Sequence, residues 1–333
     1  MRAAMAMSRG VRALAALALV ATGAARAADD PGPIAVYGNK TTLEIAPVLL
    51  AAEKTYAGKA TVSMGSVTNL VGAPSMPEAG SSGIADVATN AETQALRYSV
   101  QHPEMRIIMT VTEGLYRIVA RRSAGIKTLA DLKGKRVATI PPTSSGYFVQ
   151  KMLKTVGLST ADVTFVPVSP LTDMPKALAE GKVDAVSIWE PESENAKRAL
   201  GADAIEFNGK GIYRELFNLN TTAGNLADPV KRKKIVAFVR AIIDACAEVR
   251  RDPTRAQQLV VASSGYSADV IAHSWEGQAF IATLPADLLD VLVEEDAWLA
   301  AQDKRPARTR AQLAPLIDAS VLAEAQALKP ALR

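Results

Sequence analysis

RVATIPPTSSGYFVQKML, residues Arg136–Leu153, decides the reading of this chain. Val137 and Ile140 mark a short buried strand, a Pro-Pro-Thr-Ser-Ser-Gly loop follows, and the residues beyond it carry the apolar period of a helix. A strand that passes through hydroxyls into a helix start offers free backbone N–H groups and the positive end of the helix dipole to a polar or anionic group. Ser and Thr also cap helices without any ligand, an effect of about 1 kcal/mol, so the loop taken alone is open between capture and capping. A similar run at Ser263-Ser264-Gly265 has no strand before it and reads as a plain cap.

Outward from this stretch, strands and helices alternate. Ile34–Tyr37, Ala60–Ser63, Ile84–Ala88 and Arg106–Thr112 read as strands, with helices over Leu43–Tyr56 and Ala91–Val100. A second series runs through the opening stretch, Thr164–Val168, Met174–Glu180, Ala185–Ile188, Pro191–Leu200 and Ala204–Phe207. The chain is helical from Asp228, including Val230–Arg250, Ala268–Ala279 and Leu288–Gln302. Alternation at this spacing predicts an α/β fold of right-handed βαβ units, with ligands at the carboxyl ends of strands. Tyr116–Arg121 and Arg214–Asn220 are extended and flank the second series, as two crossings between lobes would. Residues 28–115 and 215–333 then form lobe 1, and residues 116–214 form lobe 2.

Composition narrows the function. Arg2, Arg9 and Arg12, the apolar run Ala13–Ala25 and the small-residue site at Ala25-Arg26-Ala27 read as a signal peptide over residues 1–27. No later window reaches the roughly 18 apolar residues of a membrane helix. The chain has 38 Lys and Arg against 34 Asp and Glu, but residues 1–27 hold four Arg and no acid, so the remainder is formally neutral. The basic balance is therefore no argument for nucleic acid. Cys246 is the single cysteine, which excludes an internal disulfide and a thiolate metal cluster, and leaves no cysteine at the cleavage site for a lipid anchor. His102 and His273 are the only histidines, too few for an ordinary zinc site. Ser145-Gly146 lacks the glycine two residues before serine that a nucleophile elbow needs, and Gly38-Asn39-Lys40-Thr41 lacks the spacing of a phosphate loop. The basic run Lys231–Lys234 reads as a solvated helix face, with docking to another protein as the other option. The chain thus reads as a non-enzyme that needs no metal and no cofactor.

The order of motifs carries a resemblance. GIKTLADLKGKRV at Gly125–Val137 precedes the hydroxyl loop, AEGKVDAVSIWEP at Ala179–Pro191 follows it, and GIADVAT at Gly83–Thr89 lies in the first series. This order resembles the periplasmic substrate-binding proteins of ABC importers, in the sulfonate, taurine and nitrate branch whose fold is shared with thiamine-precursor binders. The resemblance implies a type II two-lobed binding protein, each lobe a mostly parallel sheet flanked by helices, with two crossing strands as hinge. It implies a monomer in the periplasm that passes a small organic anion or zwitterion, sulfonate-like or aromatic, to an ABC permease. An enzyme on the same fold, of thiamine-precursor synthase or small dehydratase type, and a sensory binding domain are the alternatives. By matching position, the resemblance puts Gly38, Asn39 and Lys40 after the first strand, Thr89 and Asn90 at the end of the Ile84–Ala88 strand, and Thr143, Ser144 and Ser145 across the cleft. Trp189 and Glu190 close the side wall, with Asn218 near the return crossing. No arginine lies in the loop or the first turn, and Arg117 and Arg214 near the crossings are open between a cleft role and a solvated one.

Overall fold

The computed structural model describes residues 30–72 and 83–329, so the expected signal peptide and most of the Pro-rich stretch after Asn69 lie outside the described residues. No helix among the described residues is long and apolar enough to cross a membrane. Eleven strands are described: β1 (Ile34–Gly38), β2 (Ala60–Met64), β3 (Val87–Ala91), β4 (Met105–Gly114), β5 (Arg117–Arg121), β6 (Arg136–Ala138), β7 (Thr164–Phe165), β8 (Ala185–Ile188), β9 (Ala204–Asn208), β10 (Glu215–Thr222) and β11 (Gln278–Ala279). They form a six-stranded sheet, β11-β4-β10-β3-β1-β2, and a five-stranded sheet, β7-β6-β8-β5-β9. The helices are α1 (Ala46–Leu50), α2 (Glu92–Tyr98), α3 (Ser144–Thr155), α4 (Met174–Ala179), α5 (Glu192–Leu200), α6 (Ala223–Ala227), α7 (Pro229–Arg251), α8 (Thr254–Ser264), α9 (Ala268–Ser274), α10 (Leu288–Asp303), α11 (Arg310–Leu313) and α12 (Ser320–Ala327).

The second sheet takes all its strands from Arg117–Asn208, and the chain passes between sheets twice, from β4 to β5 and from β9 to β10. Parallel pairing holds in β2-β1-β3 and in β7-β6-β8. The strands on either side of the crossings pair antiparallel, β10 with β3 and β4, and β5 with β8 and β9. Both sheets are therefore mixed, more so than the mostly parallel expectation.

Local differences have local causes. The expected Ile84–Ala88 strand lies three residues later, because pairing of Val36 with Val87 and of Asn218 with Asn90 sets the register. Ile84 is left exposed, and Asp86 accepts the Ala35 N–H at 2.8 Å instead of interrupting a ladder. The helix expected over Leu43–Tyr56 starts only at Ala46, where Pro47 fits the first turn, and continues as a π-helical turn over Ala51–Thr55. The helix expected to reach Ala279 stops at Ser274, since Gln278 and Ala279 pair with Gly114 and Glu113 as β11. Ser263-Ser264-Gly265 ends α8, with Gly265 left-handed, while Ser267 caps α9. The basic run at the start of α7 is locally engaged. Lys234 meets Asp86 at 2.7 Å, Lys231 meets Asn225 at 2.9 Å, and Arg232 pairs with Glu324.

One core cluster packs α1, α7 and α12 on the six-stranded sheet, around Val36, Leu219, Phe238 and Ile242. A second runs through both sheets and includes Ala88, Ile107, Ile118 and Ala185. Its aromatic members meet at the crossings. The Tyr116 ring lies edge-on to Phe148 at 5.8 Å and to Tyr213 at 5.7 Å, and Tyr147 packs on Trp298 at 4.7 Å. Aromatic edge contacts of this kind contribute about 0.5–1.5 kcal/mol each beyond burial, so the crossings are held from both sides.

Candidate functional site

A cavity of about 330 Å³ lies between the two sheets, within the size range of small-molecule sites. On the six-stranded side it is lined by Asn39, Met64, Ser66, Asn90 and Gln94. On the other side stand Pro142, Thr143, Ser144, Leu171 and Trp189. Glu44, Glu215 and Phe217 complete the buried part, with exposed Arg97 also on the wall. The two sides touch where Gln94 Nε2 donates to Pro142 O at 3.2 Å, and Tyr116 OH, at the β4–β5 crossing, shares a hydrogen bond with Ser144 Oγ at 3.0 Å.

The opening stretch folds for this position. Thr143 is the N-cap of α3, yet its hydroxyl donates back to Ile140 O at 2.8 Å and leaves the first turn with no side-chain cap. The turn's N–H groups are thus not consumed by capping. Gly146 is required here, since a Cβ would lie 2.2 Å from Pro141 O where the loop folds over the helix.

Of the residues expected from sequence, Asn39, Asn90, Thr143, Ser144 and Trp189 line the cavity together. The other six lie off its wall. Gly38 is a close-approach position, where a Cβ would fall 2.1 Å from Thr89 Oγ1, and Thr89 itself is fully buried. Lys40 is half-buried, and its backbone carbonyl accepts from Ser263 Oγ at 2.7 Å. Asn218 is buried and accepts from Thr110 Oγ1 at 2.7 Å. Ser145 Oγ donates to Ser187 O at 2.6 Å and contacts Thr139 Oγ1 at 2.9 Å, tying α3 to β8. Ser145→Ala should therefore cost about 1 kcal/mol of stability in the empty protein, read as a lower urea midpoint with unchanged slope. Glu190 meets Arg117 at 2.7 Å and accepts the Glu194 N–H at 3.1 Å. Burial pushes its carboxyl up, against the pull of Arg117. Arg117 also binds Glu194 at 3.0 Å and pairs with Glu206, while Arg214 is held by Glu113 and Asp287, each at 2.8 Å. Both arginines serve the framework of the fold.

The sequence reading missed Glu44, Glu215 and Arg97. Glu44 sits between Leu43 and Ile45, both fully buried, and an acid inside so apolar a run was the available signal. Burial pushes the Glu44 carboxyl up to about 7, tempered by its own backbone, Thr42 and Glu215. Burial raises Glu215 further, and the charges of Glu44 and Glu92 add to it. A carboxyl held above its unfolded value contributes stability that is present below about 4.5 and lost as pH rises through about 7. Glu44→Gln should then gain about 2 kcal/mol at pH 8 and nothing at pH 4, checked by urea unfolding across that range.

The NMT1/THI5-like family model matches residues 42–256. The chain belongs to this family. An Escherichia coli (strain K12) protein named for aliphatic sulfonate binding is 29% identical over 160 residues, which cover 46% of this chain and 47% of that one. A Haemophilus influenzae protein named for thiamine biosynthesis is 30% identical over 164 residues, covering 48% and 50%. The matched segments thus span about half the length of these family relatives. The alkanesulfonate-binding protein of Xanthomonas axonopodis pv. citri, solved with MOPS, superposes with a TM-score of 0.64 at 18% identity over 87% of this chain and 99% of that one. At that identity the likeness establishes the two-lobed binding-protein fold.

Proposed function

We propose that this chain is the solute-binding component of an ABC import system and captures a small organic anion or zwitterion between its two lobes. The lobes are residues 28–115 with 215–333, and residues 116–214. Ligand contacts to both would favour a closed form that an inner-membrane permease recognises. The chain would act as a monomer in the periplasm after loss of residues 1–27. The observation that carries the reading is the cavity walled from both sheets, with an uncapped helix start and Trp189 facing Asn39 and Asn90. The names of the relatives point the same way.

A thermal-shift panel of ethanesulfonate, taurine, nitrate, benzoate, benzamidine and cytosine tests it. A binder at 100 times its dissociation constant adds about 2.7 kcal/mol of stability. No stabilisation by any member would contradict the reading. The enzyme alternative gains some weight from the relative named for thiamine biosynthesis. Against it, the Cys246 thiol is buried and pushed up to about 12, far from a reactive thiolate. Recovery of the bound compound unchanged after long incubation separates capture from turnover.

A further inference from the structure

We infer that the captured solute carries a cationic nitrogen group, of amidine or amine type, which docks on Glu44 and Glu215. This rests on the solute-binding reading and narrows it: of the anion and zwitterion classes it retains the zwitterion, and it adds cations with an apolar body. Glu44 is 1% exposed, and among the described residues neither of its carboxyl oxygens has a hydrogen-bond partner of good geometry, with Thr42 and the Glu215 carboxyl as its polar neighbours. Glu215 is 4% exposed, and its Oε2 is likewise unpartnered. Both side chains line the cavity. Buried carboxyls of this kind ordinarily have a cation or several donors beside them, because an unpaired one is costly to bury.

Among the described residues no cation fills that role. Arg117 and Arg214 are engaged with acids elsewhere, and among the described residues Arg97 forms no ion pair with either glutamate. A ligand nitrogen bearing several N–H groups supplies what the pair lacks. Met64, Ile140, Leu171, Phe217 and Trp189 surround the same space, so the body attached to that nitrogen is apolar or aromatic. In a zwitterion the opposite pole would face Arg97 and the uncapped start of α3.

Burial holds both carboxyls up, so a docking cation displaces a proton from the pair. The charged or titratable groups around it are Tyr116 at the crossing, Glu92 and Arg97 on α2, and Glu190 after β8. None of these supplies a cation paired with Glu44 or Glu215. Cation affinity should therefore rise with pH.

Matched probes test the inference by calorimetry at pH 6 and pH 8: benzamidine against benzoate, and taurine against ethanesulfonate. Benzamidine and taurine should bind in preference to their anionic counterparts, about tenfold more tightly at pH 8 than at pH 6, with proton release. Glu44→Gln and Glu215→Gln should each weaken benzamidine at least tenfold at pH 8, and Glu44→Gln should reduce the pH dependence, which the remaining Glu215 carboxyl still carries in part. Circular dichroism and urea midpoints establish that both variants are folded. Binding of benzoate or ethanesulfonate in preference to the cations would overturn the cationic assignment and keep solute capture. Unchanged benzamidine affinity in both folded variants would also overturn the assignment. Binding by neither series would overturn the assignment together with the solute-binding reading.

Discussion

Arg117→Ala should destabilise the protein by about 3–5 kcal/mol, read from urea or thermal unfolding. The guanidinium starts β5 and is 16% exposed, with Glu190 at 2.7 Å, Glu194 at 3.0 Å and Glu206 as its third partner. Its removal strands Glu190, which is 5% exposed and already held up by burial. The cost comes from leaving a buried carboxylate without a cation, more than from the attraction lost. Without Arg117, Glu190 would retain its proton to higher pH, so the loss should shrink as pH falls. Glu194 and Glu206 have other cations, Arg198 at 2.8 Å and Lys197 at 2.9 Å, and contribute less to the loss. A change below 1 kcal/mol at pH 7 would mean that Glu190 is adequately solvated without its partner.

The second large effect lies at the other crossing. Glu92 is fully buried at the start of α2 and accepts from Tyr213 OH at 2.6 Å and from the Leu216 N–H at 2.7 Å. It thus fastens the β10 end of the β9–β10 crossing to the start of α2. Glu92→Ala leaves two buried donors unsatisfied and opens a cavity, at a cost of about 4 kcal/mol. Glu92→Gln keeps an acceptor for the Leu216 N–H. It also relieves the contact with Glu295, whose carboxyl is pushed well above the ordinary range by burial and then by Glu92. The Gln variant should therefore lose less than half as much. Equal losses in the two variants would show that the negative charge, and not the acceptor, holds the crossing.

These residues also show how much of the molecule was legible in the sequence. The strand, hydroxyl loop and helix of Arg136–Leu153 could be read because the period of the apolar residues changes at the loop. Trp189 could be placed because it follows a buried strand directly, and the two crossings because Tyr116–Arg121 and Arg214–Asn220 are extended and flank a complete αβ series. Strand register could not be read in GIADVAT, where apolar residues stand on both sides of Asp86 and fit either frame. Pairing with β1 and β10 chose the later one.

Within the site, side-chain direction was the hidden variable. Ser144 and Ser145 are adjacent and chemically alike, yet the first lines the cavity while the second ties α3 to β8. Trp189 and Glu190 diverge in the same way, the one toward the cavity and the other toward Arg117. Glu44 carried a signal in its apolar neighbours, whereas Glu215, beside Arg214 at a strand start, looks in sequence like any solvated acid. Only the folded chain places the two carboxyls on one cavity.

The most direct test of the central claim, that solute is held in the cavity between the sheets, is the binding isotherm of Pro142→Trp beside the unaltered protein. Pro142 is half-buried on the cavity wall, and an indole there would occupy the space that Phe217 and Trp189 border. With taurine and benzamidine as titrants, binding should be lost in the variant while its unfolding temperature without ligand stays within a few degrees of the original. Undiminished affinity in a folded Pro142→Trp protein would place the solute elsewhere and contradict the account.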